Sequence, residues 1–173
     1  MTTVVCDSGP LTHLWQVGQW RAFGTFTAVH IAQQVAEEVR LHVSLDESEQ
    51  HMGFAISVHD VLLTEVASCR AELPPDLVLQ DADLATIVLA QRIVPDLVLT
   101  DDLALRQAIE AKGMTPMGSV GVILRAFKSG MLDTQALERA IDGLFVHSTL
   151  YLSPQFKTYV RRLIAEMTAK SSN

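Results

Sequence analysis

Cysteine, long apolar runs and positive charge are all scarce in this chain, and each scarcity narrows what it can be. The two cysteines, Cys6 and Cys69, stand far apart and make no metal-ligand pair. Cys6 sits inside an apolar stretch and reads as a small buried residue, so a reducing, cytoplasmic setting fits this usage. No apolar run approaches the roughly 20 residues that cross a bilayer. The opening Met1-Thr2-Thr3-Val4-Val5 lacks the basic and apolar regions of a signal peptide, and no membrane partner is expected. Charged residues are only 19% of the chain, which leaves room for an apolar patch kept for a partner. Thirteen Lys and Arg against twenty Asp and Glu leave a net charge of −7. A chain of that sign does not hold nucleic acid by a bulk positive field. An enzyme whose acidic site is neutralised by bound cations remains compatible with it.

What is present is ample apolar material. Hydrophobic residues make up 49% of 173 residues, with mean hydropathy +0.24, enough for a packed core and against a disordered chain. No repeat, low-complexity stretch or linker interrupts residues 1–173, so one domain is expected.

Short β-branched runs alternate with longer helical patterns, as in βαβ units around a parallel sheet. Thr3–Cys6 reads as a first strand, followed by a turn at Asp7-Ser8-Gly9-Pro10 and a helix from Leu11 to about Val17. A short helical piece near Trp20–Phe23 leads to a second strand, Phe26–Ile31, and a helix, Ala32–His42. Residues 44–59 read poorly, as an irregular helix, and Asp60–Val66 reads as a third strand. A helix opens at Asp81 and runs through Leu84–Ile93, and Asp96–Thr100 has the apolar content of a buried parallel strand. Asp101-Asp102 opens a helix to Lys112, with Gly113 as its C-cap. Met114–Met117 is a fifth strand, and Gly118-Ser119 starts a helix to Lys128 that Gly130 ends. Helices from Asp133 to about Asp142 and over Gln155–Met167 close the chain. The pattern predicts an α/β fold of five parallel strands with helices on both faces.

The acids fall in a meaningful place. Asp7 ends the first predicted strand and Asp101-Asp102 ends the fourth, and ligands of open parallel sheets bind beyond the carboxyl ends of strands. Glu38 lies in the helix after strand two, and Asp83 in the first turn of the helix before strand four. Singly, each has an ordinary reading as a cap, a first-turn acid or part of a solvated face. Together they would repel: two unit charges about 4 Å apart cost roughly 4 kcal/mol at an effective dielectric of 20. Such a cluster takes up protons or binds a cation. Oxygen ligands without cysteine or paired histidine point to Mg²⁺ or Mn²⁺ rather than zinc.

The order of these residues resembles the PIN-domain family. Asp7-Ser8-Gly9-Pro10-Leu11 is similar to its opening motif, and Val35-x-x-Glu38-Val39 follows. Asp83 precedes an Ala/Leu-rich helix, and Leu99-Thr100-Asp101-Asp102-x-x-x-Arg106 and Gly118-Ser119-x-Gly121-x-x-x-Arg125 complete the series. The resemblance extends to a PIN-like prokaryotic subgroup often found beside a small antitoxin-like partner, and covers about residues 3–130, with helices over 133–169 packed on that core. It implies a three-layer fold with strand order 3-2-1-4-5 and a Mg²⁺- or Mn²⁺-dependent endoribonuclease. It further implies RNA as substrate, a toxin of a toxin–antitoxin pair, and a homodimer. Asp7, Glu38, Asp83 and Asp101 or Asp102 would be the catalytic acids. Asp7 and one of the Asp101-Asp102 pair would be direct metal ligands, and Glu38 and Asp83 would complete the shell, directly or through water. Ser8, Thr100 and Ser119 would support them. The chain departs from the family in carrying Ala82-Asp83 where Gly-Glu is common, and Ala32 where proline is common.

Other polar residues carry less. Arg106, one turn beyond Asp102, would steady a phosphate or simply pair with Asp102. The six histidines form no i, i+4 pair and read as surface or satisfied core residues. Trp15 and Trp20 read as core or partner-facing, and Lys157, Arg161 and Arg162 as a solvated basic face. A phospho-receiver domain is set aside, because its acid pair follows the first strand and this one follows the fourth. The competing function is a binding module that keeps the acids but acts through a protein partner.

Overall fold

A computed structural model describes residues 1–43 and 54–171. Five strands form one all-parallel sheet: β1 (Thr3–Cys6), β2 (Ala28–Ala32), β3 (Ile56–His59), β4 (Leu97–Leu99) and β5 (Pro116–Met117), in the order β3-β2-β1-β4-β5. In the central strand Val4, Val5 and Cys6 are all buried, because helices cover both faces of a parallel sheet. Register is pinned at the entry to the sheet, where Asp96 accepts the Thr3 amide through Oδ2 at 2.7 Å and donates its own to the Thr3 carbonyl.

The helices are α1 (Ser8–Gln16), α2 (Gln33–Val39), α3 (Leu63–Glu72), α4 (Asp81–Ile93), α5 (Leu103–Ala111), α6 (Ser119–Lys128), α7 (Thr134–Val146) and α8 (Pro154–Ser171), with a 3₁₀ segment at Trp20–Thr25. Helix α4 lies on β1 and β2 and packs against α2 and α3, while α6 packs on the 3₁₀ segment, α1 and α7. Trp15 and Trp20 meet edge to face at 5.5 Å, and Trp20 is buried, so the pair belongs to the core. Gly113 and Gly130, expected to close α5 and α6, have φ of 74° and 77°, the left-handed conformation that glycine adopts without penalty.

Two expectations fail around β3. The third strand is Ile56–His59, and the expected strand Asp60–Val66 is instead the entry to α3. The apolar run at 61–63 imitates a buried strand. However, Glu65 returns its carboxylate to the Leu62 amide at 2.8 Å, a helix-start device, and Arg92 of α4 grips Glu65 at 2.9 Å. Val66 and Cys69, three residues apart, are then buried on one helical face. The irregular helix expected over 44–59 is replaced by strand from Ile56 onward; residues 44–53, with His51, lie outside the described residues. Strand β2 begins two residues later than expected, because Phe26 closes the 3₁₀ segment with a bond to the Phe23 carbonyl.

Candidate active site

The strand ends bring the acids together. Asp7 follows β1 directly, and its amide bonds to the Leu99 carbonyl at 2.9 Å. Its carboxylate is buried, 3% exposed. Thr100, also fully buried, donates its hydroxyl to Asp7 Oδ2 at 3.3 Å and accepts the Asp102 amide at 3.1 Å. One threonine therefore couples the end of β1 to the start of α5. Ser8 Oγ approaches Asp7 Oδ1 at 3.5 Å, the limit of a hydrogen bond.

Burial raises the Asp7 carboxyl from 3.8 to about 7, and the charges of Asp83 and Glu38 push the same way against the Ser8 amide and Thr100 hydroxyl. Asp83 rises to about 6, first through burial and then through Asp102 and Glu38, although it accepts the Gln80 amide. Asp7, Glu38, Asp83 and Asp102 thus feel one another's charge. Burial and the neighbouring Asp7 and Asp101 carboxylates lift the Cys6 thiol well above its ordinary range, so Cys6 is inert packing beneath the acids.

The two neighbouring aspartates after β4 do different things. Asp102 is exposed and caps α5, accepting the Leu105 amide at 2.7 Å. Asp101 is turned inward with its side chain 8% exposed. Its Oδ1 accepts the Ser119 amide at 2.7 Å, and its Oδ2 accepts both the Ser119 hydroxyl and His13 Nδ1, the latter at 2.8 Å. Both oxygens of Asp101 are therefore engaged, whereas Asp102 keeps one outward. Asp101 and Asp102, both expected as candidate ligands beside Asp7, thus stand in different surroundings.

Gly118 makes the Asp101 arrangement possible. A Cβ there would stand 2.9 Å from Asp101 Oδ1 and 3.5 Å from the Thr100 carbonyl. Gly118→Ala is expected to cost about 1–3 kcal/mol through that overpacking, read as a lower denaturant midpoint. An unchanged midpoint would mean that Asp101 is loosely held.

His13 was passed over in the sequence because no second histidine shares its helix. The available signal was its place four residues after Gly9, on the first turns of the helix that leaves Asp7. His30 and His59 also meet, at 2.9 Å across β2 and β3, a pairing that only strand register creates. Arg106 donates to the Thr100 carbonyl at 3.5 Å, and among the described residues it makes no ion pair with Asp102. The basic face of α8 is spent internally: Arg161 pairs with Asp142, Arg162 with Glu166, and Lys157 donates to the Phe145 carbonyl.

Among the described residues, no three His, Cys, Asp or Glu side chains are gathered as a ready-made metal cluster. The donor chemistry nevertheless fits a hard divalent cation. The coupled acids offer only oxygen, two of them are held above their ordinary proton affinity by burial and mutual charge, and Mg²⁺ takes few carboxylates and keeps several waters. No helix of the described residues is long and apolar enough to cross a membrane.

The pattern of the family DUF3368: PIN domain matches residues 3–166. No curated protein matches the chain.

Proposed function

The chain belongs to the PIN-domain family, and from that premise we propose that it is a Mg²⁺- or Mn²⁺-dependent endoribonuclease. PIN domains are generally nucleases that use divalent metal ions. The observation that carries the reading here is the buried Asp7, raised to about 7 beside Asp83 at about 6. A buried acid that feels the charge of other acids is stabilised by a cation or a proton.

In this reading Asp7, Asp83 and Asp102 would hold the cation, directly or through water, and Glu38 would complete the acidic rim. The bound cation supplies charge neutralisation of the phosphodiester and acidification of the attacking water. Thr100 fixes Asp7 in orientation. Asp83, half-buried, would take up the proton released by the attacking water. Asp101 is an anchor rather than a ligand, and Ser119 is its clamp. Ser8 adjusts Asp7, and Arg106 steadies the phosphate.

A role as the toxin of a toxin–antitoxin pair, with a small antitoxin and a homodimeric state, is the finer form of this proposal. Exposed Val58, Leu62 and Leu63, at and just after the edge strand β3, favour a protein partner. They also support the alternative, a binding module with little nuclease activity.

The test is cleavage of labelled single-stranded RNA with Mn²⁺ or Mg²⁺. Wild type is expected to cut only with metal, and Asp7→Asn to be slower by about 100-fold or more. A folded, metal-saturated wild type that leaves varied RNAs intact would transfer the assignment to the binding module.

A further inference from the structure

His13 has one nitrogen committed and one free. Every contact made by Asp101 is with a donor: the Ser119 amide, the Ser119 hydroxyl and His13. Nδ1 therefore carries a proton, and in the neutral ring the second nitrogen, Nε2, carries a lone pair. Nε2 makes no hydrogen bond among the described residues, and the side chain is 14% exposed. The ring also borders the acids. A Cβ placed on Gly9 would lie 3.5 Å from Asp101 Cβ and 3.7 Å from both Asp7 Oδ2 and His13 Cε1, the ring carbon between Nδ1 and Nε2. Asp7 and His13 thus flank one small gap, which the absent side chain of Gly9 leaves open.

We propose that His13 is a specificity-determining residue that accepts a hydrogen bond from a ribose 2′-hydroxyl of the bound strand and so favours RNA over DNA; this rests on the nuclease reading above. The choice of donor follows from nucleic-acid chemistry. Phosphodiester oxygens, the sugar ring oxygen and the ester oxygens only accept. Along the backbone, the segment that cleavage brings to Asp7, the 2′-hydroxyl is the one donor, and it is absent from DNA. Asp101 and Ser119 act through His13 as positioning residues, holding the tautomer and the ring plane, as carboxylates do for working histidines elsewhere.

The experiment compares kcat/KM, with Mn²⁺, on a cleaved RNA and on copies with a single 2′-deoxy substitution at each nucleotide flanking the cut. For wild type, one such substitution is expected to cost about fivefold, the worth of one ordinary hydrogen bond. In His13→Ala that penalty disappears, leaving ribose and deoxyribose equivalent there. In His13→Gln, whose amide oxygen also accepts, part of it remains. Thermal midpoints of both variants establish that they are folded. Persistence of the full penalty in His13→Ala, or an equal slowing on RNA and its deoxy copies, overturns the assignment while leaving the nuclease standing. A wild type that cuts no RNA overturns both.

Discussion

Asp7→Asn is expected to make the metal-free protein more stable at pH 8 and to leave it little changed at pH 4. The unfolded chain loses this proton near pH 4, and the folded one near 7, because burial and the charges of Asp83 and Glu38 oppose ionisation. Between those values the folded state holds a proton that the unfolded state has released. Stability is therefore greatest below the unfolded pKa, falls as pH rises toward 7, and stays low beyond it. A shift of this size corresponds to at most about 4 kcal/mol. Asparagine has the same shape and keeps an oxygen for the Thr100 hydroxyl, but carries no charge to bury. Thermal melts in chelator, at pH 4 to 8, should show wild type declining with pH and the variant nearly level. At about 2–4 °C per kcal/mol for a chain of this size, the gap at pH 8 is several degrees. Saturating Mn²⁺ should reverse the order, raising wild type by mass action and the variant much less. A variant that melts below wild type by the same margin at every pH would show Asp7 to be an ordinary structural acid.

The adjacent aspartates are expected to separate stability from activity. Asp101→Ala removes an acceptor from three donors at once, the Ser119 amide and hydroxyl and His13 Nδ1. Unpaired donors in so enclosed a place cost about 1–3 kcal/mol each, so a loss of at least about 3 kcal/mol is expected. Asp102→Ala removes only the cap on the Leu105 amide, worth about 1 kcal/mol, yet it takes away a proposed ligand. Its metal-induced rise in melting temperature and its RNA cleavage should both collapse. Denaturant titration and metal titration of the two variants give four numbers. If Asp102→Ala keeps its response to metal and Asp101→Ala, refolded and intact, loses it, the ligand assignment is the wrong way round.

Much of the fold and of the acid placement is legible in the sequence. Strands one and four are legible because a parallel strand buried on both faces is apolar through its buried part, and Val4, Val5 and Cys6 are, as is Leu97–Leu99. Asp7 and the Asp101-Asp102 pair fall at strand ends for the same reason: they are the first charged residues after such runs. The helix stops at Gly113 and Gly130 were legible because left-handed backbone strongly selects glycine. The third strand was misplaced because Val61-Leu62-Leu63 is apolar in either conformation. What decided for helix was Glu65, with its partner Arg92 on another helix 27 residues away.

Local pattern thus sufficed for the class of fold, the end of the sheet where the acids gather, and the oxygen-only character of the candidate site. Each of these depends on residues within a few positions of one another. The tertiary structure alone decided that Asp101 turns inward and Asp102 outward, that His13 joins the site, and that His30 meets His59. Adjacent residues leaving a strand point in different directions, and which direction is toward solvent depends on what stands there. For Asp101 those neighbours are Ser119 and His13, 18 and 88 positions away in the chain, a separation over which sequence pattern carries no geometry.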